Sequence, residues 1–95
     1  MITHIVLFKL KDNSPQSVEE TANVLRAMEG QIEELKSIEV GLDVLHSERS
    51  YDIALITKFD SMEALEAYQV HPLHKKVIEH MAKAREASVS VDYES

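Results

Sequence analysis

Two segments of this chain are apolar on both faces of an extended strand, and this limits the available folds more than any other feature. In "ITHIVLFKL" (residues 2–10), Ile2, His4, Val6, Phe8 and Leu10 fall on one face and Ile5 and Leu7 on the other, because successive strand side chains point to opposite sides. In "YDIALITKF" (51–59), Tyr51, Ile53, Leu55 and Phe59 oppose Ala54 and Ile56. Strands of this kind lie inside a sheet with both faces covered. The chain must therefore provide two covering layers, or provide one and borrow the other.

The remaining elements provide one. Ser14 can cap a helix that starts at Pro15, a residue suited to the first helical position. Val18, Ala22, Leu25, Met28, Ile32 and Leu35 then recur at helical spacing. A bend or break is expected at Gly30, and the acidic run "EGQIEEL" reads as an exposed helix face. "SIEVGLDVL" (37–45) alternates Ile38, Val40, Leu42 and Val44 against Glu39, Gly41 and Asp43, a strand with one apolar face. "HSERS" (46–50) is a polar turn. Asp60 and Glu63 form a capping-box-like pair that opens a short helix through Tyr68. Pro72 pushes His71 out of the helical region and is well placed to start the next helix, so "VHP" is a helix–helix corner. Val77, Ile78 and Met81 are the apolar stripe beyond it. "EASVSVDYE" (86–94) alternates Ala87, Val89, Val91 and Tyr93 against Ser88, Ser90 and Asp92, a last strand.

The order is strand, helix, strand, strand, helix pair, strand. This predicts one α+β domain over residues 1–95, a ferredoxin-like βαββαβ arrangement with a four-stranded antiparallel sheet and helices on one face. No chain is left for the second face, so a second copy is the economical cover. The expectation is a homodimer with two sheets packed face to face. The length agrees, since a chain of 95 residues buries only about 60–65% of its unfolded surface on its own.

Seventeen acids against ten bases give a formal charge of −7, with no local run of Lys or Arg longer than "HKK". That field repels phosphate backbones and anionic lipid, so neither nucleic acid nor membrane is expected as a partner. The chain has no cysteine, hence no disulfide, thiolate nucleophile or cysteine zinc site. "MITHIVLFKLKD" is too short for a membrane span and lacks the basic region and cleavage site of a signal peptide. A cytoplasmic location is expected. There is no glycine-rich phosphate loop, G-x-S-x-G elbow or HExxH, and no cofactor is expected.

"HIVLFKLKD", "YDIALITKF", "EALEAYQVHPLHKKV" and the closing "SVSVDYE" resemble the stress-responsive A/B barrel (Dabb) family over about residues 2–94. "AYQVHPLH" with the terminal "VDYE" is the specific part. The resemblance implies a ferredoxin-like fold that pairs into a dimeric α/β barrel. Its members include plant stress proteins, a plant polyketide cyclase and many bacterial proteins without an assigned activity. Carried over from the cyclase, Tyr68 and His74 would form the acid–base pair of an intramolecular aldol condensation. His4 would lie at the pocket, and His71 matches a further histidine of the motif. The first helix and the turn at 46–50 differ from the cyclase, which separates this chain's pocket and substrate from the cyclase's.

The chemistry of these residues admits more than one role. An imidazole with a pKa near ~6.5 suits proton abstraction beside a carbonyl, which puts His74 first as catalytic base. The Tyr68 phenol can hydrogen-bond His74 or polarise a carbonyl oxygen. Alternatively His74 caps or packs at the helix start while Tyr68 fills the core. His4 is either a core histidine bonded at the edge of its face or the polar point of a ligand cavity inside the barrel. His71 and His74 do not suggest a metal site, because Pro72 breaks their helical register and zinc takes three or four protein ligands. His46 and His80 read as surface residues, and Tyr51 and Tyr93 as core or interface. Three functions follow: a site for a small apolar or carbonyl-bearing ligand, cyclase-like chemistry through His74 and Tyr68, or a non-catalytic stress-associated dimer. Cofactorless oxygen chemistry on a similar architecture is a weaker fourth, with no residue specific to it.

Overall fold

The computed structural model describes residues 1–95. Its elements are β1 (Ile2–Leu10), α1 (Pro15–Arg26), β2 (Ser37–Leu42), β3 (Ile53–Phe59), α2 (Met62–Val70), α3 (Pro72–Ala84) and β4 (Arg85–Glu94). The four strands form one sheet in the order β2-β3-β1-β4, with every pair antiparallel. This is the ferredoxin-like arrangement, and the two strands with two apolar faces, β1 and β3, are the inner ones.

Register decides what each face carries. Ile2, Val6 and Phe8 of β1 lie opposite Phe59, Leu55 and Ile53 of β3. Together with Ala22, Leu25, Met28, Leu65, Tyr68, Val77 and Met81 they form the core between sheet and helices. β2 turns its apolar side to the same layer, with Ile38, Val40 and Leu42 opposite Thr57, Leu55 and Ile53. β4 does the reverse. Val89 and Val91 lie opposite Leu7 and Ile5, on the face without helices. Val89, Val91 and Tyr93 are each about half exposed (48%, 53% and 47%).

The helices begin as the sequence indicates, with one local change at α2. Ser14 caps α1, its hydroxyl accepting from the Ser17 N–H at 3.3 Å, and Pro15 opens the helix. At α2 the cap is Ser61, whose Oγ accepts from the Ala64 N–H at 3.2 Å. Asp60 is instead salt-bridged to Lys36 at 3.7 Å. A hydroxyl beside the first turn satisfies an orphan N–H directly, so the capping position falls one residue later than Asp60.

α1 stops before Gly30. From Ala27 the chain forms tight turns, with the N–H groups of Met28, Glu29 and Gln31 bonded three residues back, and Gly30 takes a left-handed φ of 74° that glycine adopts without steric cost. The reversal returns Ile32 to the core at 3% exposure, so the apolar spacing reflects burial without continuous helix. "EGQIEEL" is thus a turn segment. β2 likewise ends at Leu42, short of residue 45. The Asp43 carboxylate accepts from the His46 N–H at 2.7 Å, and His46 takes a φ of 55°. This aspartate-anchored turn leaves Val44 and Leu45 in solvent. Tyr51 lies just before β3 and is half-buried. No helix is long and apolar enough to cross a membrane.

Candidate functional site

The corner at "VHP" is built by His71. It adopts an extended backbone (φ −61°, ψ 137°) between α2 and α3, and its Nδ1 accepts from the Leu73 N–H at 3.1 Å. His71 is therefore the N-cap of α3. It does not line the cavity described next.

A cavity of about 210 Å³ lies between the sheet and the helices. β1 contributes His4, Val6 and Phe8, α2 contributes Tyr68, and α3 contributes His74 and Val77. Ile78, Ala82 and Arg85, all solvent-exposed, line its open end. Ten of its thirteen lining residues are hydrophobic, so the few polar groups determine its chemistry. The cavity lies within one chain, on the helix side, because His4, Val6 and Phe8 share the face on which α1, α2 and α3 pack.

Tyr68 is fully buried. Its ring is 4.1 Å from that of His74 at 35°, and 4.8 Å from that of Phe59 at 52°. Its hydroxyl does not reach His74. It donates to Met28 Sδ at 3.8 Å, a weak acceptor. Burial pushes the phenol pKa well above its ordinary value, so the group remains a hydrogen-bond donor.

His74 Nδ1 donates to the Gln69 carbonyl at 3.2 Å. In the neutral ring this makes Nε2 the unprotonated nitrogen. Burial lowers the His74 pKa below the usual imidazole value, and the neighbouring His4 and His71 add to this, while the bond to Gln69 opposes it. The site thus pairs a protonated phenol with an unprotonated imidazole in an apolar enclosure.

His4 is fixed from β4. Its Nδ1 pairs with the Asp92 carboxylate, which lies directly opposite it in the sheet, and its carbonyl accepts from Thr57 Oγ1 at 3.2 Å. Tyr68, His74 and His4 are therefore brought together at one cavity, while His71 serves the corner. Asp92, Met28 and Arg85 were not identified from sequence. Asp92 and Arg85 depend on the pairing of β4 with β1, across roughly the whole chain, and the only local signal for Met28 is its place in an apolar repeat.

A ferredoxin-like domain holding a helix-side apolar cavity defines the class of protein. The chain matches the family model of the stress responsive A/B barrel domain over residues 2–95, and it belongs to that family. An uncharacterised protein of Streptomyces coelicolor is 36% identical over 78 residues, 79% of this chain and 80% of that protein. Of the solved structures it resembles, a dimeric protein of unknown function from Bacteroides fragilis is 33% identical, with 99% of this chain and 95% of that chain covered and a TM-score of 0.83. A dimeric ferredoxin-like protein of unknown function from Thermobifida fusca is 30% identical, with 99% and 90% covered and a TM-score of 0.87.

Proposed function

We propose that this chain is a homodimeric binding protein for a small, largely apolar carbonyl compound, with the capacity for proton transfer at the bound ligand. The observation that carries the reading is the Tyr68 hydroxyl. It is a buried donor at the cavity wall, and its only acceptor is the thioether of Met28 at 3.8 Å. A carbonyl oxygen entering the cavity is a far better acceptor, so binding gains a hydrogen bond at the expense of a weak one. The volume of about 210 Å³ suits a single ring with a short chain, since apolar cavities of about 150 Å³ hold benzene.

The His74 tautomer supports the catalytic form of the same reading. With Nε2 unprotonated and the carbonyl oxygen held by Tyr68, His74 can take a proton from the carbon next to that carbonyl, leaving an enolate that the phenol stabilises. Reprotonation elsewhere gives isomerisation, and attack on a second carbonyl gives aldol closure. For the dimer, the support is the apolar outer face of Ile5, Leu7, Ile56, Val89 and Val91, together with the dimeric state of the Bacteroides and Thermobifida proteins. A cytoplasmic location fits the acidic, cysteine-free composition.

Titration of the protein with butyrophenone, followed by calorimetry and by His74 and Tyr68 ring resonances, tests the binding. The expected result is saturable binding that weakens in Tyr68→Phe. A cavity that takes up no neutral ketone leaves the non-catalytic dimer as the function.

A further inference from the structure

The open end of the cavity carries one group that neither the fold nor the acid–base pair requires. Arg85, the first residue of β4, lines the cavity and is the only permanently charged side chain among its thirteen lining residues. Every other polar side chain there has a partner: His4 has Asp92, His74 has the Gln69 carbonyl, and Tyr68 has Met28. Arg85 enters none of the four salt bridges. Of the ten bases only Arg26 and Lys36 enter one, so what sets Arg85 apart is its place at the cavity. By contrast, Arg26 binds both Glu19 and Asn23 at 3.1 Å.

The surroundings of Arg85 also favour an incoming anion. On the inner side of β4, Arg85 lies opposite Leu10, Ser88 opposite Phe8, Ser90 opposite Val6 and Asp92 opposite His4. The acid in this row is already bound to His4. What remains at the cavity itself is a guanidinium beside an apolar opening. A guanidinium presents a planar fork of donors that matches a carboxylate.

We propose that the ligand of this cavity is an aromatic or similarly ring-sized keto acid, whose body fills the apolar space and whose carboxylate is held at the open end by Arg85. The inference rests on the cavity being a ligand site and adds the ligand's chemical class. Ketone and carboxylate then engage different groups: Tyr68 inside, Arg85 at the entrance. Because Arg85 is exposed, the gain from the charge is modest, about threefold to tenfold in affinity, and it declines with added salt.

The experiment compares benzoylpropionate with its uncharged primary amide, by calorimetry on the intact protein at pH about 8, in wild type, Arg85→Gln and Arg85→Lys. The acid is expected to bind about threefold to tenfold more tightly than the amide, with the preference lost in Arg85→Gln, partly kept in Arg85→Lys, and the amide's affinity the same in all three. Equal affinities in wild type, or a preference that survives Arg85→Gln, overturn the keto-acid assignment while the ligand cavity stands. If phenethylphosphonate binds more tightly than benzoylpropionate, the anion is a phosphate-type group and the carboxylate assignment falls. If acid, amide and butyrophenone all fail to bind, the cavity reading fails and this inference with it.

Discussion

Replacing Tyr68 by Phe separates a structural from a functional hydroxyl, and the geometry fixes the expected size of the effect. The ring is fully buried, between His74 at 4.1 Å and Phe59 at 4.8 Å, and Phe preserves both contacts. Only the hydroxyl is lost. An ordinary buried hydrogen bond contributes about 0.5–1.5 kcal/mol net, and a thioether acceptor at 3.8 Å belongs at or below the lower end of that range. Removing the hydroxyl also relieves a desolvation cost of about 0.5–2 kcal/mol. The two nearly cancel, so Tyr68→Phe should unfold within about 1 kcal/mol of wild type and can be slightly more stable. Tyr68→Ala, which empties the ring's volume, should cost about 3–5 kcal/mol. Urea unfolding followed by circular dichroism, at one protein concentration throughout, measures both. Ketone binding should change in the opposite sense, with Tyr68→Phe losing about tenfold in affinity, equivalent to about 1.4 kcal/mol. If Tyr68→Phe is destabilised by more than about 2 kcal/mol and binds ketone normally, the hydroxyl is architectural and the reasoning fails.

His74 sets a pH dependence. Its folded pKa lies below the unfolded value of 6.5, so the unfolded chain takes up a proton that the folded chain resists. Its contribution is intact above about pH 6.5 and diminishes as pH falls toward the folded pKa. Urea midpoints at pH 8 and pH 5 should therefore differ less in His74→Gln than in wild type; an unchanged difference contradicts the assignment. His71→Ala removes the α3 cap and should cost about 0.5–2 kcal/mol, or roughly 4–8 °C in Tm per kcal/mol, with ketone affinity unaltered; a lost affinity with unchanged Tm would make His71 a ligand group. Val91→Asp puts a carboxylate on the apolar outer face and should give a monomer by light scattering at micromolar concentration, whereas wild type elutes as a dimer. A monomeric wild type rules out the dimer.

The fold was legible because burial leaves a periodic trace. The two-faced apolar strands 2–10 and 51–59 are the inner strands, and the one-faced segments at 37–45 and 86–94 are the edges. The errors occur where burial is achieved without regular structure. Met28 and Ile32 hold helical spacing, yet they reach the core from a series of turns, since Gly30 lets the chain reverse while their side chains still point inward. Val44 looks like the next inward residue of β2, but the Asp43 side chain captures the His46 N–H and ends the strand. At the site, Tyr68 and His74 were visible because "YQVHPLH" is local. Asp92 and Arg85 were not, because the pairing of Asp92 with His4 and the place of Arg85 at the cavity depend on which β1 residue each one faces. Periodicity assigns a residue to one side of its strand but does not say which side of the sheet that is.

That ambiguity matters most for the two edge strands, which face opposite ways. β2 turns Ile38, Val40 and Leu42 toward the helices, while β4 turns Val89, Val91 and Tyr93 away from them. A single covering layer on one side satisfies β2 and leaves β4 half satisfied. The inner side of β4 is polar as a result, and its first residue, Arg85, lines the cavity's open end. Its outer side needs cover from outside the chain. The register shift between Lys9 and Leu10 lies beside Arg85, at the point where α3 passes directly into β4. Whatever covers Val89 and Val91 therefore also holds the strand from which Asp92 grips His4 and Arg85 reaches the entrance. The apolar outer surface and the groups that serve the cavity thus occupy opposite faces of the same strand.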